Sequence, residues 1–389
     1  MGNGTVSWRL KYIGKAVKAG IGEKFKASFV IESEEETSVE VRLVEKNALF
    51  KVDVPSRLDL KKGLNELYVN VEIPEKTVFK PLWIAVISVQ DSEKSENAYL
   101  GILPVSEKSS RKVIKEAVED DKSYSVGALG FTRKDFFYLS YRWRNGNKAR
   151  GEKLEIAKSS DGLNYETVKT FNKNDYGYLS FEQSDLTTTP EGSFVFLYSA
   201  DVERLWKIFK VEANEVSDIE LPGEPLVDKA KDPSILYDAA SERYIIVYSD
   251  CSKPGHDLAV VSTKDFKQLE VLAESIAYTQ FTKQGNEWSR THIHAGSLLF
   301  DGKYYVLFYD ALPKQPSCFG SGWLGVAISK DLKKWIDLTP DKPLWKGNGV
   351  DYTFRYVAVY CDEKQYLLYA EEETSPRGKK DTVVYYSKT

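Results

Sequence analysis

Two acids, two histidines and an arginine in the later part of this chain are of types that could do chemistry together if the fold brought them to one place. Asp232 opens KDPSILYD (231–238), Asp185 lies in FEQSDLTTT (181–189), and Glu182 is a short step along the same segment. His292 and His294 stand at i and i+2, so on a β-strand both face the same side. Arg355, between Phe354 and Tyr356, would need a carboxylate partner if buried, and Asp185 or Asp232 could supply it. The histidine pair could hold a metal only with a third ligand, again Asp185 or Asp232. Paired strand histidines more often hydrogen-bond to neighbouring side chains, so neither a metal nor another cofactor is expected. His294, with an ordinary pKa of about 6.5, suits proton transfer. Ionisable groups are costly to converge without a use.

What could bring them together is a repeat. One phrase occurs five times: FFYLSYR (136–142), FVFLYSA (194–200), YIIVYSD (244–250), YVLFYDA (305–311) and QYLLYAE (365–371). The shared tyrosines Tyr141, Tyr198, Tyr248, Tyr309 and Tyr369 recur at roughly 50–60 residues, a period typical of radially repeated sheets. Each phrase follows a first apolar strand and a tight turn and precedes a third strand. That third strand ends in AKSSDGLNY (157–165), VVSTKDFKQL (260–269) or AISKDLKKW (327–335), where the Asp would start the turn into an outer strand. The reading is all-β: a five-bladed β-propeller over 123–389. The chain stops before the fifth blade gains an outer strand, so that blade is three-stranded or a segment such as Lys112 to Val118 returns to cover its edge. Counting back from the phrase puts Gly127, Asp185, Asp232, the triplet His294-Ala295-Gly296 and Arg355 at the funnel-facing slot.

Residues 1–105 read differently. FKASFVIES, TSVEVRLVE, LYVNVEI and PLWIAVISV are short alternating strands at close spacing, the pattern of an immunoglobulin-like β-sandwich. The charged stretch 106–122 reads as a linker or short helix. At 389 residues the chain suits two domains. Its 24 Tyr, 18 Phe and 8 Trp fit blade packing and also sugar stacking. A net charge of −4 without a basic stripe argues against nucleic acid. Cys251, Cys318 and Cys361 are odd in number and lack metal spacing. With no long apolar run and no secretory start, no membrane association is expected and a cytoplasmic location is; a trimmed signal peptide would leave the same trace and a secreted protein.

KDPSILYD resembles the strand that opens with Asp-Pro in the five-bladed glycosidases of glycoside hydrolase families 43 and 32. FEQSDLTTTPEGSFVFLYSA (181–200) and HAGSLLFDGKYYVLFYDA (294–311) resemble other blades of that superfamily, and Phe181 to Leu186 is loosely similar to family 130. The resemblance covers about residues 123–389. It implies cleavage of an oligo- or polysaccharide by carboxylates across the funnel, as a hydrolase or a glycan phosphorylase. Asp232 would be the base, nucleophile or stabilising Asp, with Asp185 or Glu182 as its partner. Where relatives place the Glu-x-Pro acid, this chain has His294-Ala295-Gly296. Either His294 or Glu182 then supplies the proton, or the propeller binds carbohydrate or organises an assembly without cutting. Tyr352 and Trp323 are candidate stacking platforms at the funnel rim, and His292 and Arg355 are further candidates for holding the substrate. Arg142 and Trp143, with Arg144, are expected on a loop above the funnel, and specificity in loops such as 252–257 and 312–322.

Overall fold

The protein, seen in a computed structural model that describes residues 7–146, 149–286, 288–289, 291–312 and 322–388, is almost entirely β-strand there. The longest helical stretch among those residues is the six-residue segment Ile276–Phe281. Cys318 and most of the loop 312–322 lie outside the described residues.

Up to Leu103 the chain forms two sheets. One orders the strands Trp8–Leu10, Lys24–Ser33, Gly63–Glu72 and Lys51–Asp53; the other orders Gly14–Lys18, Ser95–Leu103, Trp83–Gln90, Thr37–Lys46 and Arg57–Leu60. Alternation does what the sequence pattern asks: Ala27, Phe29 and Ile31 point inward, as do Leu67, Val69 and Val71 on the neighbouring strand. Trp83–Gln90 is buried on both faces, because the later sheets cover its other side. Trp83 and Ile102 share one apolar cluster with Phe308, Leu324, Val357 and Leu368. The contact is close enough that a Cβ on Gly14 would sit 1.9 Å from the Asp337 carbonyl oxygen.

Three further sheets are each built from four consecutive strands, within residues 180–228, 230–273 and 291–337. The turn residues behave as their chemistry dictates. Asp161 accepts from the Leu163 and Asn164 amides at 2.8 and 2.8 Å, and Asp331 from those of Lys333 and Lys334 at 2.9 and 2.8 Å. The first and fifth repeats join in one sheet through a single parallel pair, Ser125 with Lys380. The edge of the last strand, Lys380–Lys388, is covered by Ser110–Lys115, which pairs with it antiparallel. Within the stretch 106–122, read from sequence as a linker or short helix, Ser110–Lys115 is thus a strand, as the alternative of a returning segment over the last edge expected, because the last strand would otherwise leave its amides and carbonyls unpaired.

The leading strands of the five repeats are Tyr124–Arg133, Ser180–Thr188, Ala230–Asp238, Thr291–Phe300 and Phe354–Cys361. Each contacts the next, and the fifth contacts the first. Asp185 knits this ring. Its buried carboxylate accepts from the amides of Phe131 (2.9 Å), Ile235 (2.9 Å) and Leu186 (2.9 Å) and from the Ser234 hydroxyl (3.1 Å), so it ties three repeats together. Burial pushes this carboxyl up to about 7, against those donors. Asp185→Ala would leave three amides and a hydroxyl without an acceptor at roughly 1–3 kcal/mol per lone group. Thermal unfolding followed by circular dichroism is expected to show a large fall in midpoint, with Asp185→Asn intermediate; a midpoint equal to the parent's would reject the role.

Candidate functional site

Every leading strand carries a bulge at one height. Pairing with the second strand slips between Gly127 and Gly130, Phe181 and Ser184, Lys231 and Ser234, Ala295 and Leu298, and Arg355 and Ala358. The residue after each first-named position is Ala128, Glu182, Asp232, Gly296 or Tyr356. Ala128, Asp232 and Tyr356 are left-handed there, with φ of 56°, 53° and 50°. Such backbone costs about 1–3 kcal/mol in a non-glycine residue and persists where the surroundings enforce it. What enforces it is a side chain from the preceding repeat. The Asp232 amide donates to Ser199 Oγ (2.8 Å), that of Tyr356 to Asp310 Oδ2 (3.2 Å) and that of Ala128 to Glu371 Oε2 (3.2 Å). Ala295, one residue earlier, donates to Ser249 Oγ at 3.1 Å.

This register places the sequence-derived candidates. Glu182 and Asp232 occupy equivalent bulge positions, both buried, and neither Asp232 carboxylate oxygen has a hydrogen-bond partner. Lys231 Nζ stands 3.3 Å from Asp232 Oδ2. His294 is buried, its Nδ1 2.9 Å from Asp310 Oδ1, and its Nε2 has no hydrogen-bond partner. Its ring stacks on Tyr356 with centroids 5.6 Å apart. Asp185 does not join them: it lies three residues beyond the bulge and serves the backbone as described.

Arg355 pairs with neither Asp185 nor Asp232. Its Nε and Nη2 donate to Glu371 Oε1 at 3.1 and 2.7 Å. Arg142 and Arg144 are not on a loop, since their strand continues to Asn145. Arg142 is fully buried, 2.8 Å from Glu182 and 3.6 Å from Glu371, while Arg144 bonds Glu182 at 3.1 Å. Trp143 faces the other way, packing edge-on to Tyr141 with Lys153 over its ring. Trp323 is half-buried under Lys346, and Tyr352 is exposed at φ 53°. His292 is also left-handed, at φ 51°, and a bulge between Thr291 and His294 breaks the expected alternation. His256, on the loop 252–257, sits with its ring centroid 6.0 Å from His292 and 5.9 Å from His294. All three histidines of the chain are therefore neighbours. Among the described residues no three His, Cys, Asp or Glu side chains are arranged to hold a metal ion.

Sequence reasoning did not single out Asp310, Glu371, Lys231 or His256. Asp310 and Glu371 were detectable as acids inside or at the end of an otherwise apolar phrase; His256 had no local signal. Their electrostatics follow from burial and neighbours. Burial pushes Glu182 up, but Arg142 and Arg144 more than reverse this and hold it well below the usual carboxylate range. Burial pushes Asp310 up to about 7 despite Arg355. Burial, then Lys231, drives His294 well down, and the same two causes take His256 to about 2. The arrangement offers a fixed carboxylate (Glu182), an unsolvated one (Asp232) and a histidine backed by a proton-holding acid.

Neither a scan of family models nor a search of curated proteins finds a match to the sequence. The fold is similar to solved structures. One titled a glycoside hydrolase gives a TM-score of 0.54 at 13% identity, over 72% of this chain and 92% of that one. A glycosyl hydrolase from Bacteroides ovatus gives 0.51 at 15% identity, over 67% of this chain and 83% of that one. At such identities the likeness is one of fold.

Arg355→Met would leave Glu371 buried without its fork, a loss expected at about 3–5 kcal/mol in urea unfolding. The effects of Arg355→Met and Glu371→Leu should be strongly non-additive, with a coupling of roughly 1–3 kcal/mol. Strictly additive losses would show that the two side chains do not act as a pair.

Proposed function

We propose that the repeats form a five-bladed β-propeller over 123–389, with an immunoglobulin-like sandwich over 1–105, and that the protein cleaves glycosides in the central funnel. The observation that carries the activity is Asp232: a buried carboxylate in strained backbone with both oxygens free of hydrogen bonds, within electrostatic reach of His294, whose Nε2 is also without a hydrogen bond. Strain and unsatisfied charge are retained where a ligand completes them. The similarity of fold to glycoside hydrolases supports the reading.

Asp232 attacks the anomeric carbon or activates the attacking nucleophile, water or phosphate, in an oxocarbenium-like transition state. Glu182 is clamped between two arginines and stays ionised, so it stabilises positive charge and does not supply a proton. The acid is His294, which takes the place of the carboxylic acid in the resembling families. Its Nε2 proton passes to the leaving oxygen while the Asp310 proton moves to Nδ1, leaving imidazole neutral and Asp310 ionised until it is reprotonated. Asp310 is a positioning and proton-supplying residue acting through His294. The replacement of the expected acid by His294-Ala295-Gly296 also favours a second reading, a carbohydrate-binding propeller that does not cut.

Asp232→Asn should lower the rate at least about a hundredfold by removing charge that supports the transition state. His294→Gln and Asp310→Asn should slow poor leaving groups far more than activated aryl glycosides. Because Asp310 holds its proton up to about 7, the acid is complete below that pH and is lost above it. Turnover of natural oligosaccharides is therefore expected to fall through a basic limb near pH 7. A panel of aryl glycosides and oligosaccharides, with and without phosphate, checks all three. Glycan binding without turnover would decide for the binding module, and silence in both assays would reject the carbohydrate reading.

A further inference from the structure

His256 takes no part in the mechanism above, yet its backbone and its ring are both held at a cost. It lies in the connection between Arg243–Asp250 and Asp257–Thr263, in the left-handed region at φ 61°. That conformation costs a non-glycine residue about 1–3 kcal/mol. The loop is pinned along its length in a way that keeps it so. The Ser252 amide donates to Asp250 Oδ1 (2.8 Å), the His256 amide to the Lys253 carbonyl (3.1 Å), the Ile293 amide to the Gly255 carbonyl (3.2 Å), and the Tyr278 hydroxyl to the Pro254 carbonyl. Next in sequence, the buried Asp257 carboxylate accepts from the amides of Leu258 (2.7 Å) and Ala277 (2.8 Å). These bonds hold the His256 ring beside two others, with centroids 6.0 Å from His292 and 5.9 Å from His294.

The ring has hydrogen-bonding capacity that the protein does not use. His256 Nδ1 is out of water without a hydrogen-bond partner, as is His294 Nε2. An unmade hydrogen bond at a buried polar atom costs about 1–3 kcal/mol, and such atoms are retained where something completes them. Burial and then Lys231 keep the His256 imidazole uncharged, so it offers one donor and one acceptor. A hydroxyl both donates and accepts, and therefore satisfies Nδ1 in either tautomer; a carboxylate or an ammonium suits only one. Position narrows which hydroxyl. Asp232 and Glu182 are among the charges that act most on His294, whereas those that act most on His256 are Lys231, His294, His292 and Arg150, with no acid. His256 is thus on the side of His294 away from the carboxylates that face the anomeric carbon, which is the side of the leaving group. Rings so spaced accept two oxygens on neighbouring carbons, each roughly 2.8 Å from its own nitrogen: the linkage oxygen at His294 and the adjacent hydroxyl at His256.

Resting on the glycoside reading above, we propose that His256 binds the leaving sugar through the hydroxyl next to the linkage oxygen. The site then selects a sugar over other leaving groups and, among disaccharides, the linkage that brings this hydroxyl beside His256.

Kinetics of the full chain on α- and β-linked gluco-, galacto-, manno- and xylo-disaccharides and on the matching phenyl glycosides test this. Phenol draws on the acid as it leaves but offers no hydroxyl beside the linkage oxygen. His256→Gly removes the ring and suits the left-handed backbone, so the loop keeps its shape. In that variant the ratio of kcat/KM for the best disaccharide to that for its phenyl glycoside is expected to fall about tenfold. His256→Asn tolerates the same backbone and keeps a polar group near the place of Nδ1, and should retain part of the ratio. The disaccharide deoxygenated beside the linkage oxygen should lose a similar factor with the parent and little with His256→Gly. The basic limb near pH 7 should stay in both variants, since His294 and Asp310 remain. A ratio in His256→Gly equal to the parent's, or a basic limb that moves with the substitution, would overturn the proposal while leaving the glycoside reading intact. So would cleavage of phenyl glycosides with no disaccharide accepted. If neither kind of substrate turns over, the glycoside reading falls and this proposal falls with it.

Discussion

The rest of the molecule depends on a bulge in each leading strand, which in four of the five has a backbone amide held by a side chain from the repeat before it. A strand that runs straight through the ring would present alternate side chains to its two neighbours and none in a fixed way to the centre. The extra residue turns the backbone, in three of the five repeats through a left-handed conformation that only outside support can maintain. Ser199, Ser249, Asp310 and Glu371 give that support, each from the second strand of one repeat to the first strand of the next. The ring is thus cross-linked by hydrogen bonds in sequence, and the same bonds aim Asp232 and Tyr356.

Acids used in this way acquire a second task. Glu371 caps the Ala128 amide, grips Arg355 and lies 3.6 Å from Arg142. The space it fills is that of the side chain missing at Gly127, where a Cβ would fall 2.2 Å from Glu371 Oε2. Asp310 caps Tyr356 with one oxygen and holds His294 with the other. Removing water from these groups raises the Asp310 carboxyl and lowers the imidazole of His294, so the proton is favoured on oxygen at rest. Glu182 experiences the same burial with the opposite result, because two arginines touch it. Position relative to the arginines, more than depth, separates the protonated acid from the ionised one.

The repeat, the turn aspartates and the all-β character were legible because they depend on local periodicity. The count back to the ring was legible only to within a few residues. It selected Asp185 where the register selects Glu182, since a bulge adds a residue that leaves no mark on the hydrophobic pattern. The same limit placed Arg142 and Arg144 on a loop: FFYLSYR ends an apolar run, and the strand continues through three more residues whose polarity suits a buried ion-pair run. Partners across repeats were not legible at all. Nothing around Arg355 distinguishes Glu371 from Asp232 as its counter-ion, and His256 reaches the other histidines from a loop.

The first two sheets take part in this precision although they supply none of the charged groups. Their apolar cluster is continuous with that of the fourth and fifth repeats, which contribute His294, Asp310, Arg355 and Glu371. The Tyr366 hydroxyl donates to the Pro81 carbonyl at 2.8 Å, within the strand that also carries Glu371. Ser110–Lys115, the segment that leads from the first sheets into the repeats, closes the edge of Lys380–Lys388. A strand edge left open there could slip in register, and a slip by one residue would turn every side chain to the opposite face. Through the pairing of Lys380–Lys388 with Gln365–Glu373, that slip would reach Glu371. The leading sheets therefore act on the site by fixing the register of the strand behind it, which is how a unit without chemistry of its own can govern where a buried carboxylate points.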